Sequence, residues 1–289
     1  MNLRRAALLS AFTLIAPSLV HASTFVDYPN FGSTSGLTTV GSTTTTTTSD
    51  GTVLRVVPAA IGQSGAAYST TGITLGAGNS FSTQFQFRIT DPGGIDPADG
   101  LTFVLAASPS GLGTGGGDIG YGGVGDSVAV EFDTFENGGV DSNSNHVAVD
   151  TDGSLNDLAL STPYGVGTCG FPSSYTADGC MSNGDLWTAL ITYDGTNLNV
   201  WVTDGSDATF QVITNYAIDI GSDLTTSTAY VGFTGGTGSG YENEDIVNWE
   251  FSNTSTLPPS TVTPEPGTLL MVGTGLVGLV SRLRRLRRV

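Results

Sequence analysis

The chain has 289 residues, and its 26 acidic residues outnumber its 9 Lys and Arg residues, which gives a formal net charge of −17 at pH 7. Seven of the nine basic residues lie near the two termini, so residues 23 to 256 carry only Arg55 and Arg88 against 25 acidic residues. This balance excludes nucleic acid and anionic membranes as partners of the central part, because both are bound through Lys and Arg.

The N-terminal segment has the pattern of a secretory signal. Arg4 and Arg5 precede a mostly apolar run from residue 6 to residue 20, and Val20-His-Ala22 provides small residues for cleavage. The pattern predicts a signal peptide over residues 1–22 and therefore an exported mature chain.

The next 240 residues or so are rich in Gly, Thr and Ser and show no amphipathic helical period, which predicts one large all-β sandwich. Residues 24 to 31 predict a short edge strand, and the threonine run at residues 43 to 48 is interpreted as a loop between edge strands. Residues 80 to 89 alternate apolar and polar side chains, which predicts a half-buried strand.

Two loops precede the middle of the chain. Residues 91 to 98 have turn chemistry and lead to Asp99, at the start of a strand predicted over residues 101 to 106. Residues 111 to 123 are mostly glycine, but no Lys follows with the P-loop spacing and no helix is predicted after them. A phosphate-binding role is therefore disfavoured.

Residues 128 to 150 carry the strongest chemical signal. The first half alternates as a strand, which places Glu131 and Asp133 on one face; residues of turn type follow, and residues 146 to 150 predict a returning strand. Oxygen ligands with one imidazole suit a Ca²⁺ site beside a transition-metal site. The candidate ligands are Glu131, Asp133, Asn137, Asp141 and His146.

The two cysteines, Cys169 and Cys180, predict a disulfide, because the chain is predicted to be exported. Residues 186 to 202 predict a hairpin with an Asp-Gly turn. Its strand positions favour a core location for the tryptophans over a role as sugar platforms. These are Trp187, Trp201 and, further along the chain, Trp249.

The C-terminal tail resembles the PEP-CTERM sorting signal of Gram-negative bacteria. Residues 263 to 266 read Thr-Pro-Glu-Pro, residues 267 to 280 are mostly apolar, and five arginines follow. The apolar stretch would extend about 21 Å as a helix, short of a hydrocarbon core of about 30 Å. The resemblance implies recognition by an exosortase and transient membrane anchoring, so residues 257–289 are predicted to be linker and sorting tail.

Four motifs together resemble the legume-type (L-type) lectins. The first is Glu131-Phe-Asp133-Thr-Phe135-Glu-Asn137 with Asp141 and His146; the others lie at residues 98 to 105, 115 to 120 and 232 to 251. The resemblance implies an all-β, concanavalin A-like jelly-roll sandwich of antiparallel sheets over residues 23–256. It also implies a metal-dependent carbohydrate-binding protein that is not an enzyme.

In that family the metals hold the binding loop in shape. The resemblance implies that Glu131 and His146 bind a transition metal such as Mn²⁺ and that Asp133 and Asp141 bridge both metals. It implies that Asn137 and the backbone carbonyl of Phe135 complete the Ca²⁺ shell.

The resemblance also assigns sugar contacts. Asp99 would follow a cis peptide bond and accept hydrogen bonds from sugar hydroxyls, and the Gly117 amide and the Asn137 side chain would donate. The Phe135 ring would offer an apolar platform. Ser239 and Gly240 occupy the loop that tunes sugar preference in the family, so the expected partners are glycans or exopolysaccharide, at the cell envelope or outside the cell.

Two alternatives remain at this level. Glu131-Phe-Asp133-Thr-Phe-Glu136 also matches the Glu-x-Asp-x-x-Glu pattern of laminarinase-type glycoside hydrolases, which share the sandwich architecture. Retaining hydrolysis needs two carboxyl groups about 5–5.5 Å apart, which the spacing alone does not decide. The second alternative is a matrix protein that keeps the fold without binding sugar.

Overall fold

The computed structural model describes residues 24–139, 141–205 and 207–257. The predicted signal peptide, the apolar C-terminal segment and the arginine-rich end lie outside these residues. Within them, the longest helix is α1, Ile220–Leu224. Across the same residues the structure contains no helix with the length and apolarity that a bilayer span needs.

The described residues contain sixteen strands. In chain order they are β1 Thr24–Tyr28, β2 Leu37–Gly41, β3 Thr44–Thr48, β4 Gly51–Val57, β5 Ser64–Ser69, β6 Ile73–Thr74, β7 Phe81–Gly94, β8 Gly100–Ala106, β9 Ser127–Asp133, β10 His146–Thr151, β11 Leu160–Ser161, β12 Trp187–Tyr193, β13 Asn197–Asp204, β14 Phe210–Ala217, β15 Thr228–Gly236 and β16 Gly240–Ser252.

The strands form two eight-stranded sheets. The first sheet has the order β14-β13-β12-β7-β16-β4-β3, with β1 also pairing with β16. The second has the order β11-β10-β9-β8-β15-β5-β2, with β6 also pairing with β15. The strand pairs of both sheets are antiparallel among the described residues, as the predicted sandwich requires.

The main core lies between the two sheets. Apolar side chains from the inner faces fill it, and aromatic rings at its centre pack edge to face: Phe85 and Phe233 have ring centroids 4.9 Å apart, as do Phe233 and Trp249. Such pairs add about 0.5–1.5 kcal/mol each beyond the burial of apolar area. The predicted alternation in β7 is confirmed, because its odd-numbered residues from Phe81 to Ile89 are buried.

A second, smaller apolar cluster lies on the other face of the second sheet. Val104 and Ala129 of that face pack there with Tyr121 and Val124, which come from the glycine-rich loop. The loop is therefore held against the sheet that carries β9 and β10. This packing brings the glycine-rich loop to the candidate metal ligands.

Two predictions about strands and core are wrong. The threonine run is not a loop: Thr44–Thr48 forms edge strand β3 and pairs with β4, because the strand preference of β-branched Thr prevails over the low complexity of the run. Trp201 is not in the core, because it occupies an outward position of β13 and is only partly buried. Trp187 and Trp249 are buried as predicted.

Candidate functional site

Strands β9 and β10 place three candidate ligands on one face of the second sheet. His146 lies directly opposite Asp133 in the ladder, and Glu131 lies two residues before Asp133. Side chains with this relation point to the same side of a sheet. The three residues are 0–3% exposed, so the sheet holds two acids and an imidazole in a buried position.

The imidazole of His146 lies at the centre of the cluster. Its Nε2 atom is 3.2 Å from Glu131 Oε1, and its Nδ1 atom is 3.1 Å from the backbone oxygen of Asn143. Asp141 and Asp157 each place a carboxylate oxygen 3.8 Å from the ring. Four polar groups from three segments of the chain therefore converge on one histidine.

Burial and mutual repulsion act on the surrounding carboxyl groups. Burial first, and then the charge of Asp150, raise the pKa of Glu131 well above its ordinary value. Burial and the charge of Asp141 do the same for the pKa of Asp133, and burial raises the pKa of Asp141. Within the part of the chain that the structure describes, His146 is the only basic side chain at this cluster, so the ionised carboxyl groups lack compensating positive charge.

The donor atoms suit a divalent cation. Glu131, His146 and Asp157 form one group whose potential ligand atoms lie within 4.8 Å of one another, and Asp133, Asp141 and His146 form a second. The Oδ2 atom of Asp157 is buried, and none of the described residues hydrogen-bonds to it. An unpaired buried carboxylate oxygen is costly unless a cation satisfies it, so these residues fit a metal.

Sequence reasoning missed two acids of this cluster. Asp157 comes from the loop after β10, where it adopts the left-handed backbone conformation with φ +49°. Asp150 ends the same face of β10 and accepts hydrogen bonds from the amides of Asn156 and Asp157. Burial raises the pKa of Asp150 to about 6. The period-two spacing from His146 to Asp150 was the available signal for the second acid.

The predicted sugar-binding residues Asp99, Gly117 and Asn137 lie together. The Ala98–Asp99 peptide bond is cis, as the resemblance implied. Asn137 Nδ2 lies 3.5 Å from Asp99 Oδ1. A Cβ atom at Gly117 would lie 2.4 Å from Cγ of Asn137, so only glycine leaves room for this side chain.

Asp99 presents an unused acceptor atom. The residue is 3% exposed, and its Oδ2 atom has no hydrogen-bond partner among the described residues. Burial raises the pKa of Asp99 to about 6, although the hydrogen bond with Asn137 acts in the opposite direction. A hydroxyl donor supplied by a ligand would satisfy this oxygen and favour the ionised form.

The last loop, before β16, approaches Asp99 with a different residue from those predicted. A Cβ atom at Gly238 would lie 3.2 Å from Asp99 Oδ2, whereas one at Gly240 would lie 2.4 Å from the backbone oxygen of Asp96. The backbone oxygen of Ser239 accepts a hydrogen bond from the Ile95 amide. Gly238 thus faces the acceptor, and sequence reasoning missed it among several adjacent glycines.

Two carboxyl groups lie fully buried behind Asp99. Glu244 Oε1 accepts a hydrogen bond from the Gly100 amide, and Glu242 accepts hydrogen bonds from the hydroxyls of Thr134 and Ser182. Burial raises the pKa of Glu242 to about 7 and that of Glu244 well above its ordinary value. These acids support the backbone on both sides of the Asp99 region.

One cavity joins the metal cluster to the glycine-rich loop. It has a volume of about 320 Å³ and is lined by residues that include Gly117, Glu131, Asp133, Asn137, Asp141, His146 and Asp157. A larger cavity of about 530 Å³ lies along β1 and β6, and Asp27 is the one carboxylate in its lining. The smaller cavity is therefore the one that the candidate metal ligands line, together with Gly117.

The remaining predicted residues lie in the loop after β9. The amide of Phe135 donates to Asp133 Oδ1 over 2.7 Å, and the amide of Asn137 donates to Asp141. Phe135 is partly buried. Glu136, the second acid of the hydrolase pattern, is exposed and is not among the residues that line the 320 Å³ cavity.

The predicted disulfide is confirmed. Cys169 and Cys180 are bonded, with Cα atoms 5.7 Å apart. The Ser144 hydroxyl accepts a hydrogen bond from the Cys169 amide over 2.9 Å, and Ser144 lies two residues before His146. The bridged loop is consequently attached to the segment that carries the metal-type residues.

Two family models match this chain. Residues 23–266 match the model of the legume lectin domain, and residues 262–285 match the PEP-CTERM protein-sorting motif. The lectin alpha chain of Lablab purpureus is 32% identical over 190 residues, which is 62% of this chain and 61% of the relative. The chain thus spans about three fifths of the length of that curated relative.

Solved structures show the same fold. Lectin I-B4 from Griffonia simplicifolia, in its metal-free form, has a TM-score of 0.65 at 24% identity and covers 80% of this chain and 99% of its own. The lectin from Bauhinia forficata in complex with GalNAc has a TM-score of 0.62 at 23% identity, with 80% and 98% covered. The fold is the predicted concanavalin A-like jelly roll, and the family match over residues 23–266 shows that this chain belongs to the legume lectin domain family.

Proposed function

We propose that this chain is an exported, metal-dependent carbohydrate-binding protein of the cell envelope or the extracellular matrix. The observation that carries the proposal is the convergence of Asp99, Gly117 and Asn137 beside the metal-type cluster. A buried acceptor, a bare backbone amide and an amide side chain are a donor and acceptor set that matches sugar hydroxyls.

Metals would shape the site rather than perform chemistry. Ca²⁺ would be held by Asp133, Asp141, the Asn137 side chain and the Phe135 carbonyl, and a transition metal such as Mn²⁺ by Glu131, His146 and the two shared aspartates. Asp157 joins the second set in this proposal, because it belongs to the same group of potential ligands. The bound cations would fix the loop that carries Asn137.

In this proposal the protein acts outside the cytoplasm, which the match to the sorting motif supports. The domain boundaries follow: a signal peptide at 1–22, the lectin domain at 23–256, and a linker with a tail at 257–289, which an exosortase would process. Ser239 and Gly240 would then shape the loop behind Asp96, with Gly238 as the residue nearest the ligand.

A hydrolase is the less supported alternative. Glu136 is exposed and apart from the cavity, whereas Glu131 is buried against His146. The Bauhinia forficata lectin was solved in complex with GalNAc, whereas a similar lectin from Arachis hypogaea is α-methyl-mannoside-specific. Similarity to these proteins therefore does not select one sugar for this chain.

A glycan array, run with calcium and with chelator, tests the proposal. The parent chain should bind a set of glycans in calcium and lose them in chelator, and Asp99→Ala should lose them in both. Asp27→Ala is the matched control, because Asp27 is exposed on β1, at the other end of β16. Release of reducing ends would instead support a hydrolase, and absence of both binding and release would support a non-binding matrix protein.

A further inference from the structure

The disulfide-closed loop lies between the metal-type loop and the segment before Asp99. On one side, the side-chain amide of Asn145 donates through Nδ2 to the backbone oxygens of Val166 and Gly179 at 2.7 and 2.8 Å. Its Oδ1 atom accepts a hydrogen bond from the backbone amide of Met181. Asn145 immediately precedes His146. The base of the bridged loop is therefore attached to the candidate metal site.

Phe171, near the start of the same loop, contacts the segment that leads to Asp99. The amide of Phe171 donates to Asp96 Oδ1 over 2.6 Å, and Asp96 precedes Asp99 by three residues. Three residues span at most about 11 Å of chain. The backbone of Phe171 consequently lies at the rim of the proposed monosaccharide site.

Exposed apolar side chains cluster around that rim. Among the described residues, five large apolar side chains are exposed, and three of them lie beside the last loop or on the bridged loop. These three are Ile61, whose neighbour Gly62 donates to Gly238; Ile95, which donates to Ser239; and Phe171. Leu158 lies on the loop after β10, where its amide donates to Val149. The fifth, Phe25, lies on β1 at the far end of the sandwich.

Phe171 is held as an aromatic platform. Its side chain is 37% exposed, and its ring packs against Tyr175 with centroids 5.1 Å apart and an interplanar angle of 90°. The disulfide and the hydrogen bond to Asp96 fix the backbone beneath it. A rigid, exposed aromatic ring gains contact area at little entropic cost, and the C–H face of a pyranose is an apolar surface that matches it.

We propose that Phe171 and Tyr175 form an accessory subsite that takes a further pyranose of a neutral oligosaccharide whose end residue is bound at Asp99. The proposal rests on the proposed function, since the subsite extends the Asp99 site. Exposed apolar side chains on both sides of that site favour a ligand longer than one sugar residue.

Charge restricts the ligand to a neutral one. Arg55 and Arg88, the two arginines of the central part, are paired with Asp245 and Asp50 on the first sheet. The bridged loop itself adds Asp178, and Asp96 lies beneath it. Uronic-acid or sulfated sugars would meet uncompensated negative charge at this rim.

Isothermal titration of the full chain in calcium tests the subsite. The probes are the methyl α-glycosides of mannose, glucose and galactose, the neutral trisaccharides mannotriose, maltotriose and galactotriose, and trigalacturonic acid. For the sugar that the parent binds, Phe171→Ala should weaken the trisaccharide about tenfold, or about 1.4 kcal/mol, and leave the methyl glycoside unchanged. Phe171→Trp should restore trisaccharide binding, and trigalacturonic acid should not bind.

Phe25→Ala is the control for loss of an exposed aromatic side chain and should change neither affinity. Equal effects of Phe171→Ala on both probes, or no effect on either, would overturn the subsite while the Asp99 site stands. Tight binding of trigalacturonic acid would overturn the neutral-ligand restriction. A parent chain that binds no probe, with Asp99→Ala indistinguishable from it, would instead remove the proposed function and the subsite with it.

Discussion

The acidic clusters of the two sheets differ in how their negative charge is compensated. On the first sheet, Asp245 and Asp50 each receive two hydrogen bonds from an arginine, Arg55 and Arg88 respectively, at 2.7–2.9 Å. On the second sheet and its loops, no arginine of the described residues pairs with the carboxyl groups at His146. Arg55 and Arg88 compensate Asp245 and Asp50, whereas the carboxyl groups around His146 are compensated only when cations come from solution.

Chelation should give the largest effect on stability, because it removes the cations that compensate the buried carboxyl groups around His146. It acts on the second sheet alone. At free calcium 1,000-fold above its dissociation constant, the bound metal should add about 4 kcal/mol to the free energy of unfolding. Urea unfolding in calcium and in chelator measures this difference. Asp133→Asn should abolish it, whereas Arg55→Met should lower stability equally in both buffers; an identical unfolding curve of the parent in both buffers would contradict the comparison.

Removal of the disulfide should rank second. The bridge closes a loop of sequence separation 11, and its loss should cost about 3 kcal/mol in chelator. Because Ser144 and Asn145 connect the bridged loop to His146, Cys169→Ser with Cys180→Ser should also shift the calcium titration to higher concentration. Urea unfolding and calcium titration check both parts, and an unchanged calcium affinity would separate the loop from the metal site.

The pH dependence should differ between the two metal states. Burial raises the pKa of Asp99 and Asp150 to about 6 and that of Glu242 to about 7. In chelator the folded chain therefore holds protons that the unfolded chain loses above about pH 4, so stability present at pH 4 should fall as pH rises to 7, by about 1.4 kcal/mol per pH unit for each proton.

Calcium should reverse this trend, because metal ligation requires ionised carboxylates and strengthens as pH rises. The unfolding free energies with and without calcium should diverge from pH 5 to pH 8. Glu242→Gln should reduce the slope in chelator, since it removes one of the retained protons. Parallel curves in the two buffers would contradict the assignment of the cluster to a cation.

Arg88→Met should give the smallest effect. The side chains of Arg88 and Asp50 keep 24% and 15% of their surface exposed, so water screens this partly buried pair, and screened ion pairs contribute about 1 kcal/mol or less. The variant should lose less than about 1 kcal/mol of unfolding free energy and keep its full response to calcium. A loss of calcium response would show that the two sheets are coupled electrostatically.

Much of the fold was predictable because local patterns and tertiary contacts agree. The alternation of residues 81 to 89 and the Asp-Gly hairpin predicted β7, β12 and β13 correctly. The position of Trp201 was not predictable in the same way. Alternation along β13 places its side chain on the opposite face from Val200 and Val202, but which of the two faces packs against the core depends on the other sheet.

The candidate site was predictable where its residues follow one another closely in the chain. Glu131, Asp133 and His146 lie in one hairpin, so strand period and turn length bring them together. Asp157 comes from a separate loop, where it adopts the left-handed backbone conformation, and Gly238 lies in the short turn between β15 and β16. Such positions depend on tertiary packing, which local sequence does not encode.

The bridged loop also offers a route to engineering. Its two ends are anchored by the Cys169–Cys180 bond and by hydrogen bonds from its backbone to the side chains of Ser144 and Asn145. The residues between these ends can therefore vary without moving the anchors. Residues 171 to 178 therefore form an exchangeable cassette on a fixed frame. A library confined to that cassette would sample new glycan selectivities while the rest of the scaffold stays constant.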